Sequence, residues 1–403
     1  MLEVENQHRH SMFTNPRVPD CAVTNEAYAK RCVELGSKVL SSCEHGWQGN
    51  AWDIHKLSQK YSLKHLAASE PYWVKDRTEK DNTNCHIFIA AKNERGRRAL
   101  NDALSEANIT GFYGRPRLDI SLILGLPKED VWVTTACVAY WKYEDVDSIT
   151  EEFVKHFGKN FFLEVQYHNT KEQILLNQRI LRLHNKLKVP LIMGCDSHFI
   201  YPSQEQDRLD FMKSKGVEYP EEDGWYMDFP DGDTAYERFA KQCVLNHSDI
   251  IDAISNTLIF RDVEEYDCPI FNTEIKMPSI YPDWTQEQKD SEYQRLVWSG
   301  WDQYQSEVPN QLHQHYKEEI QKEIDTVVQT KMADYFIDNY HIIRKGKENG
   351  GWLTKTGRGS AVSFITNKLL GFTEVDRIAA SVKMYPERFM SAERILQAAT
   401  LPD

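Results

Sequence analysis

No run in this 403-residue chain approaches the roughly 18 consecutive apolar residues that a membrane-crossing helix needs. No signal-peptide pattern precedes the first charged residues, so the chain reads as soluble, intracellular and cytoplasmic. It has no C-x-x-C pair. The eight cysteines (Cys21, Cys32, Cys43, Cys85, Cys137, Cys195, Cys243 and Cys268) stand singly, as free thiols in a reducing compartment do, which excludes a disulfide framework. There are no internal repeats and no low-complexity tracts, which excludes solenoids and unstructured tails. Positive charge is also scarce. A formal net charge of −13 argues against a protein that coats DNA along its whole surface.

What is present is ordinary globular material, 41% hydrophobic and 11% aromatic, enough for two or three domains. Up to about residue 200, short apolar runs alternate with amphipathic stretches. Strand-like segments fall at 39–42, 87–90, 131–135, 161–165 and 190–194, and helix-like segments at 28–35, 97–107, 149–156 and 171–188. The last of these carries Ile174, Leu175, Ile180, Leu181 and Leu183 on one side. This alternation predicts an α/β fold, a β/α sheet or barrel with parallel strands and crossover helices. The pattern weakens over 201–285, with acids dense between Glu221 and Asp233. Residues 286–403 are mainly helical, with long helices expected at 316–332 and 335–347. The division expected is a first domain over 1–270, a linker over 271–285 and a helical segment over 286–403.

The first chemical signature is His8-Arg9-His10-Ser11. In a strand, an H-x-H turns both imidazoles to one face. Other metal-ligand types sit near the ends of later strands: His45, Glu70, His86, Cys137, and Asp196 with His198. In a β/α barrel those ends converge on one mouth, and imidazoles, carboxylates and one thiolate there suit zinc, manganese or iron, and more than one ion. His86 is the exception, because it begins its strand. His55, His65, His156, His184, His247, His313, His315 and His341 fit no such pattern and read as structural.

This ordered set resembles the PHP domain, the polymerase and histidinol phosphatase family, over roughly residues 1–270. The resemblance implies a metal site of His8, His10, Asp20, His45, Glu70, His86, Cys137, Asp196 and His198, with Glu70 and Asp196 as catalytic carboxylates and Zn2+ or Mn2+ in a multinuclear centre. Cys43-Glu44-His45-Gly46 stands where the family has T-D-H-G, so Glu44 replaces an aspartate. The segments Gly111-Phe112-Tyr113-Gly114-Arg115-Pro116-Arg117 and Leu163-Glu164-Val165-Gln166-Tyr167-His168 resemble the polymerase branch in particular. What the resemblance implies chemically is phosphoester hydrolysis, in that branch a 3′–5′ proofreading exonuclease.

Beyond residue 285, Lys355-Thr356-Gly357-Arg358-Gly359-Ser360-Ala361 is a glycine-rich turn before an apolar run. Two glycines allow close backbone approach to an anion, a helix starting at Ser360 would add its positive end, and Arg358 can fork onto phosphate oxygens. Arg344, Lys345, Lys347 and Lys355 lie nearby as a phosphate-facing patch. With Pro386-Glu387-Arg388-Phe389 after it, the stretch resembles the palm of C-family replicative DNA polymerases, the DNA polymerase III alpha type. That resemblance implies that Gly357, Arg358, Gly359 and Ser360 bind the incoming nucleotide, and that Asp403 opens a P-D-x-D-x-D run for Mg2+. The later aspartates are not in this chain. The expectation is therefore no polymerisation by this chain alone, and a complementary C-terminal chain supplied by a split gene, a split intein or the remainder of a truncated gene. A phage origin, and with it a host cytoplasm, fits the Tyr-, Trp- and acid-rich build. The partners implied are primer-template DNA, dNTP and, through the missing half, a sliding clamp, with no membrane. The rival readings are a free-standing phosphoesterase and a non-catalytic scaffold.

Overall fold

The computed structural model describes residues 2–219, 222, 224–267 and 277–398. The chain divides into two compact units, Met1–Asn272 and Thr273–Asp403.

The first unit is built on eleven short strands, β1 (Val39–Ser41), β2 (Lys64–Leu66), β3 (Ala68–Ser69), β4 (Tyr72–Val74), β5 (Cys85–His86), β6 (Phe88–Ala91), β7 (Phe112–Tyr113), β8 (Arg115–Asp119), β9 (Val131–Thr134), β10 (Phe161–Val165) and β11 (Leu191–Met193). The central sheet runs β11-β10-β9-β6-β3. Its continuation closes a ring. β2 leads into β3 and pairs with β1, Ser41 Oγ donates to Gln7 O at 2.6 Å, and Arg9 bridges to Ser197 just beyond β11. The ring thus passes through the amino-terminal segment that carries His8 and His10. Helices follow the strands, among them Asn25–Leu35, Glu94–Ile109, Val146–Phe157 and Lys171–Leu187. Thr170 caps the last of these, its side chain accepting from Gln173 N.

One expectation is corrected. The ring is not all parallel: β6 runs antiparallel to both β9 and β3. A reversed strand presents its first residues where its neighbours present their last. His86, immediately before β6, therefore stands at the same end as Cys137 after β9 and Asp196 after β11, although it precedes its strand.

The strands have buried faces on both sides, as continuous apolar runs such as Val131-Trp132-Val133 require. Outward residues (Val133, Leu163, Val165) join a core shared with the helices. Inward residues form a second cluster, with Phe88, Trp132, Phe162 and Phe260 filling one end of the ring. Two positions further along the same strands the inward side chains turn polar: Trp132 is followed by Thr134 and Phe162 by Glu164. A separate sheet, β5-β4-β8-β7, extends beyond Glu70.

The second unit is helical: Gln286–Tyr304, His313–Gln329, Ala333–Glu348, Ile365–Leu369 and Ala392–Ala398. Residues 279–284, placed in the expected linker, pack onto it, for Ser279 Oγ donates to Asp334 at 2.7 Å and Ile280 N to Asp338 at 3.1 Å. Residues 271–276 of that linker lie outside the described residues. Tyr293, Trp301, Ile320, Phe336 and Phe364 make the core. Glu323, 1% exposed, is its polar centre. It accepts from the backbone amides of Ile365 and Thr366 (3.0 and 2.8 Å), from the Thr366 hydroxyl and from Arg377 Nε at 2.8 Å.

Removing that carboxylate leaves Arg377 with Glu319 alone, at 2.9 Å, and uncaps the helix after the glycine turn. Glu323→Ala is expected to destabilise the second unit by about 3 kcal/mol, and Glu323→Gln by less. Urea unfolding followed by circular dichroism reads the difference. Equal, small losses from both would show that the pairing is not a stabilising centre.

Candidate metal centre

The polar end of the ring gathers the ligand types singled out in the sequence. Glu70, fully buried after β3, is their hub. Its carboxylate lies 3.3 Å from His8 Nε2, 3.4 Å from His10 Nε2, 2.7 Å from His45 Nδ1 and 3.0 Å from His86 Nδ1. The Cys137 thiol is 3.4 Å from both Glu70 and His86. Asp196 lies on the opposite side, 3.2 Å from His10 and 3.6 Å from His8. Asp20, in the long loop after the H-x-H, reaches to 3.3 Å from His198 and 3.8 Å from His45. The structure thus brings all nine sequence candidates into one network. His10 and His45 stack at 3.8 Å between ring centroids.

Local backbone explains the convergence. His8 and His10 alternate about Arg9, whose guanidinium turns the other way, over the Tyr28 ring at 4.5 Å and onto Asn25. A parallel bridge between His45 and Glu70 sets those two side by side. Asp196 adopts a left-handed backbone (φ 44), which turns the chain sharply after β11.

The electrostatics are those of a cation site. Burial alone would raise the Glu70 and Asp196 carboxyls, but the imidazoles around them, led by His86 and His8 for Glu70 and by His8 for Asp196, hold both below the usual carboxylate range. Burial lowers His10, with its neighbour His45 adding to the effect. Burial and the nearby Glu70 and Asp196 push the Cys137 thiol up. Several buried atoms here have polar neighbours but, among the described residues, no well-directed hydrogen bond: His8 Nε2, both His10 nitrogens, His45 Nδ1, Glu70 Oε2, Asp20 Oδ1 and Asp196 Oδ1. Orphaned donors and acceptors in a closed polar site are costly unless a further group satisfies them. Among the described residues, four overlapping triads have ligand atoms mutually within 4.8 Å: His10/His45/His198, His8/His10/Asp196, Asp20/Cys21/His198 and His45/Glu70/His86. The mixed N, O and S donors and the overlap fit one or more transition-metal ions.

Two residues of the network were not singled out in the sequence as site residues. Glu164, inside β10, accepts from Thr134 Oγ1 at 2.7 Å and Gln166 Nε2 at 3.0 Å, and meets His8 Nδ1 at 2.7 Å. It fixes which His8 nitrogen faces the cluster. Gly194 gives it room, since a Cβ there would fall 1.8 Å from Glu164 Oε1. Cys21, one of the single free thiols, lies in the Asp20 triad. Glu44, standing where the PHP resemblance has an aspartate, accepts from Ser11 N at 3.1 Å and Asn50 Nδ2 at 2.8 Å, and burial pushes it up to about 7.

In the second unit the glycine turn is corrected in one respect. No α-helix starts at Ser360: a three-residue 3₁₀ turn, Ala361–Ser363, follows, and the helix begins at Ile365. The glycines serve the turn itself. Gly359 has φ +82, and a Cβ on Gly357 would lie 2.1 Å from Val362 Cγ1. Lys355 and Arg358 are exposed and, among the described residues, make no ion pair. Arg344 and Lys345 pair with Glu348 at 3.2 and 3.6 Å. Asp403 lies outside the described residues.

Comparison with known proteins gives two family matches, the PHP domain over residues 6–168 and the bacterial DNA polymerase III alpha NTPase domain over residues 292–403. Among curated proteins, the DNA polymerase III alpha subunit of Aquifex aeolicus is 24% identical over 433 residues, covering 98% of this chain and 35% of that protein. The corresponding subunit of Helicobacter pylori is 24% identical (98% and 34%) and that of Borreliella burgdorferi 25% (93% and 32%). The chain spans about a third of the length of these relatives.

If Glu164 orients His8, Gly194→Ala and Glu164→Gln should each weaken zinc or manganese binding by about 10–100-fold while leaving the fold intact. Chelator competition measures the affinity and circular dichroism the fold. Wild-type affinity in both variants would show that His8 needs no such support.

Proposed function

This chain belongs to the DNA polymerase III alpha family and matches its N-terminal part, a PHP domain followed by the NTPase domain, and from that premise we propose that its first unit is a metal-dependent phosphoesterase acting on the 3′ end of a DNA strand. The observation that carries this reading is the convergence on Glu70 of four imidazoles and a thiol, with unsatisfied donor atoms facing one another in a buried site.

His8, His10, Asp20, His45, Glu70, His86, Cys137, Asp196 and His198 would hold the ions. When bound, such ions polarise a phosphate and lower the pKa of a coordinated water. The chain's own residues do the rest. Glu70 and Asp196 are the anions buried among the imidazoles, the assignment under which both act as catalytic carboxylates. Glu164 sets the His8 ring so that Nε2, not Nδ1, faces Glu70 and Asp196. A cleft of about 460 Å³, the volume of a small-molecule site, opens over His45, His86, Cys137, Asp196 and His198. A single unpaired 3′ nucleotide is of the size that such a cleft takes.

For the second unit we assign the turn Gly357–Ser360 to the triphosphate of an incoming nucleotide, with Arg358 as the forked donor. Polymerisation would further need Mg2+ and a full set of carboxylates, and its substrates would be dNTP and primer-template DNA.

The test uses the purified chain refolded or dialysed with excess Zn2+ or Mn2+. Elemental analysis should find bound metal, and a 5′-labelled single-stranded oligonucleotide should shorten from its 3′ end. Asp196→Asn should reduce the shortening to background with helical content unchanged. A chain that retains no metal would refute the site. Preference for a small phosphomonoester over DNA would favour a general phosphatase, and metal without any hydrolysis would favour a scaffold.

A further inference from the structure

The segment Gly111–Arg117 takes no part in the donor network, yet one of its side chains shares the same cleft. β7 and β8 form a tight hairpin around Gly114 (φ +70), with Tyr113 paired to Arg115 and Pro116 next in the strand. Arg115 begins β8 and lines the cleft together with His45, His86 and Asp196. Its guanidinium lies over the Tyr72 ring, 4.7 Å from the centroid, and Nη1 donates to the Tyr72 hydroxyl at 2.6 Å. The same Tyr72 ring stacks on His45 (6.2 Å between centroids) and meets His86 edge-on (5.0 Å). One aromatic ring therefore spaces the guanidinium from two of the imidazoles.

The charge balance of the cleft gives that position a purpose. Its acids are Asp20, Glu172, Asp196 and Glu222, and its only lysine or arginine residues among the described residues are Arg115 and Lys142. Lys142 Nζ is already directed to Asn84 O at 3.3 Å, and Glu222 is taken by Arg208 at 2.8 Å. Arg115 makes no ion pair among the described residues, whereas Arg77, Arg97, Arg179, Arg208 and Arg238 of the same unit each hold a carboxylate. Among the described residues its remaining N–H donors are uncommitted. A planar guanidinium stacked on an aromatic ring, with a fork of free donors, is a ready receptor for phosphate oxygens.

We propose that Arg115, set by Tyr72, is the phosphate anchor of this cleft, binding the phosphate of a terminal nucleotide next to the metal donors. This rests on the reading of the cleft as a nucleotide phosphoesterase and adds to it the residue that holds the substrate's charge. Arg117, two residues on, is not such a group. It is buried and spends its donors on the carbonyls of Gly111, Glu79 and Arg77.

The experiment is calorimetric binding of dTMP to the metal-loaded chain. Arg115→Met should weaken binding by about tenfold or more, with Arg115→Lys falling between it and wild type, and bound metal should be the same in all three. Tyr72→Phe, which keeps the ring and removes the hydroxyl, should weaken it less than Arg115→Met. Equal dTMP affinity in wild type and Arg115→Met would overturn the assignment, as would no dTMP binding by the wild type. Loss of metal in Arg115→Met would overturn it too, by assigning the residue to the fold of the centre. Arg115-dependent dTMP binding by a chain that cannot shorten DNA would sink the hydrolytic reading and leave the anchor standing. DNA shortening that is indifferent to Arg115→Met would do the reverse.

Discussion

A carboxylate with no solvent exposure has to be neutralised where it stands, and Glu70 is such a group. Everything at the open end of the ring answers that need. His8, His10, His45 and His86 close on it from the amino-terminal segment, the loop after β1 and β5, just ahead of the reversed strand. Imidazoles alone leave the problem half solved, because they are themselves buried and several of their nitrogens make no well-directed hydrogen bond among the described residues. Packing alone does not satisfy such a cluster of mutually dependent polar groups. It makes chemical sense as the coordination sphere of cations.

Much of this was legible in the sequence. The apolar runs of β6, β9, β10 and β11 fell within a residue or two of their observed places, and the helix at Lys171–Leu187 announced itself by its periodicity. The ligand types could be picked out because histidines, an aspartate and a cysteine at strand ends break an otherwise apolar pattern. Strand direction could not be read, because a strand's residue alternation is the same whichever way it runs. That is why His86 looked misplaced until β6 proved antiparallel. Glu164 was hidden for a related reason: it stands inside a five-residue buried strand, where a single acid reads as an interruption. Only its position two residues past an inward phenylalanine marks it as facing the centre.

The glycine turn of the second unit shows the opposite failure. Gly-Arg-Gly-Ser before an apolar run suggested a helix beginning at once. The chain instead makes a 3₁₀ turn and delays its helix to Ile365, where Glu323 supplies the cap from a different helix. A cap contributed across the fold leaves no local trace. Gly357 likewise serves close contact, chiefly with Val362 five residues on and also with Val375.

Along β9 and β10, the residues that fill the ring's interior and those that face its chemistry are separated by a single alternation, Trp132 from Thr134 and Phe162 from Glu164. Foundation and workshop thus occupy opposite ends of the same short rods. Substitutions at the upper end would alter the polar cluster while the lower end keeps the rods upright. A lineage built on this plan is free to let the chemistry decay and keep the architecture as a mount for whatever the rest of the polypeptide does.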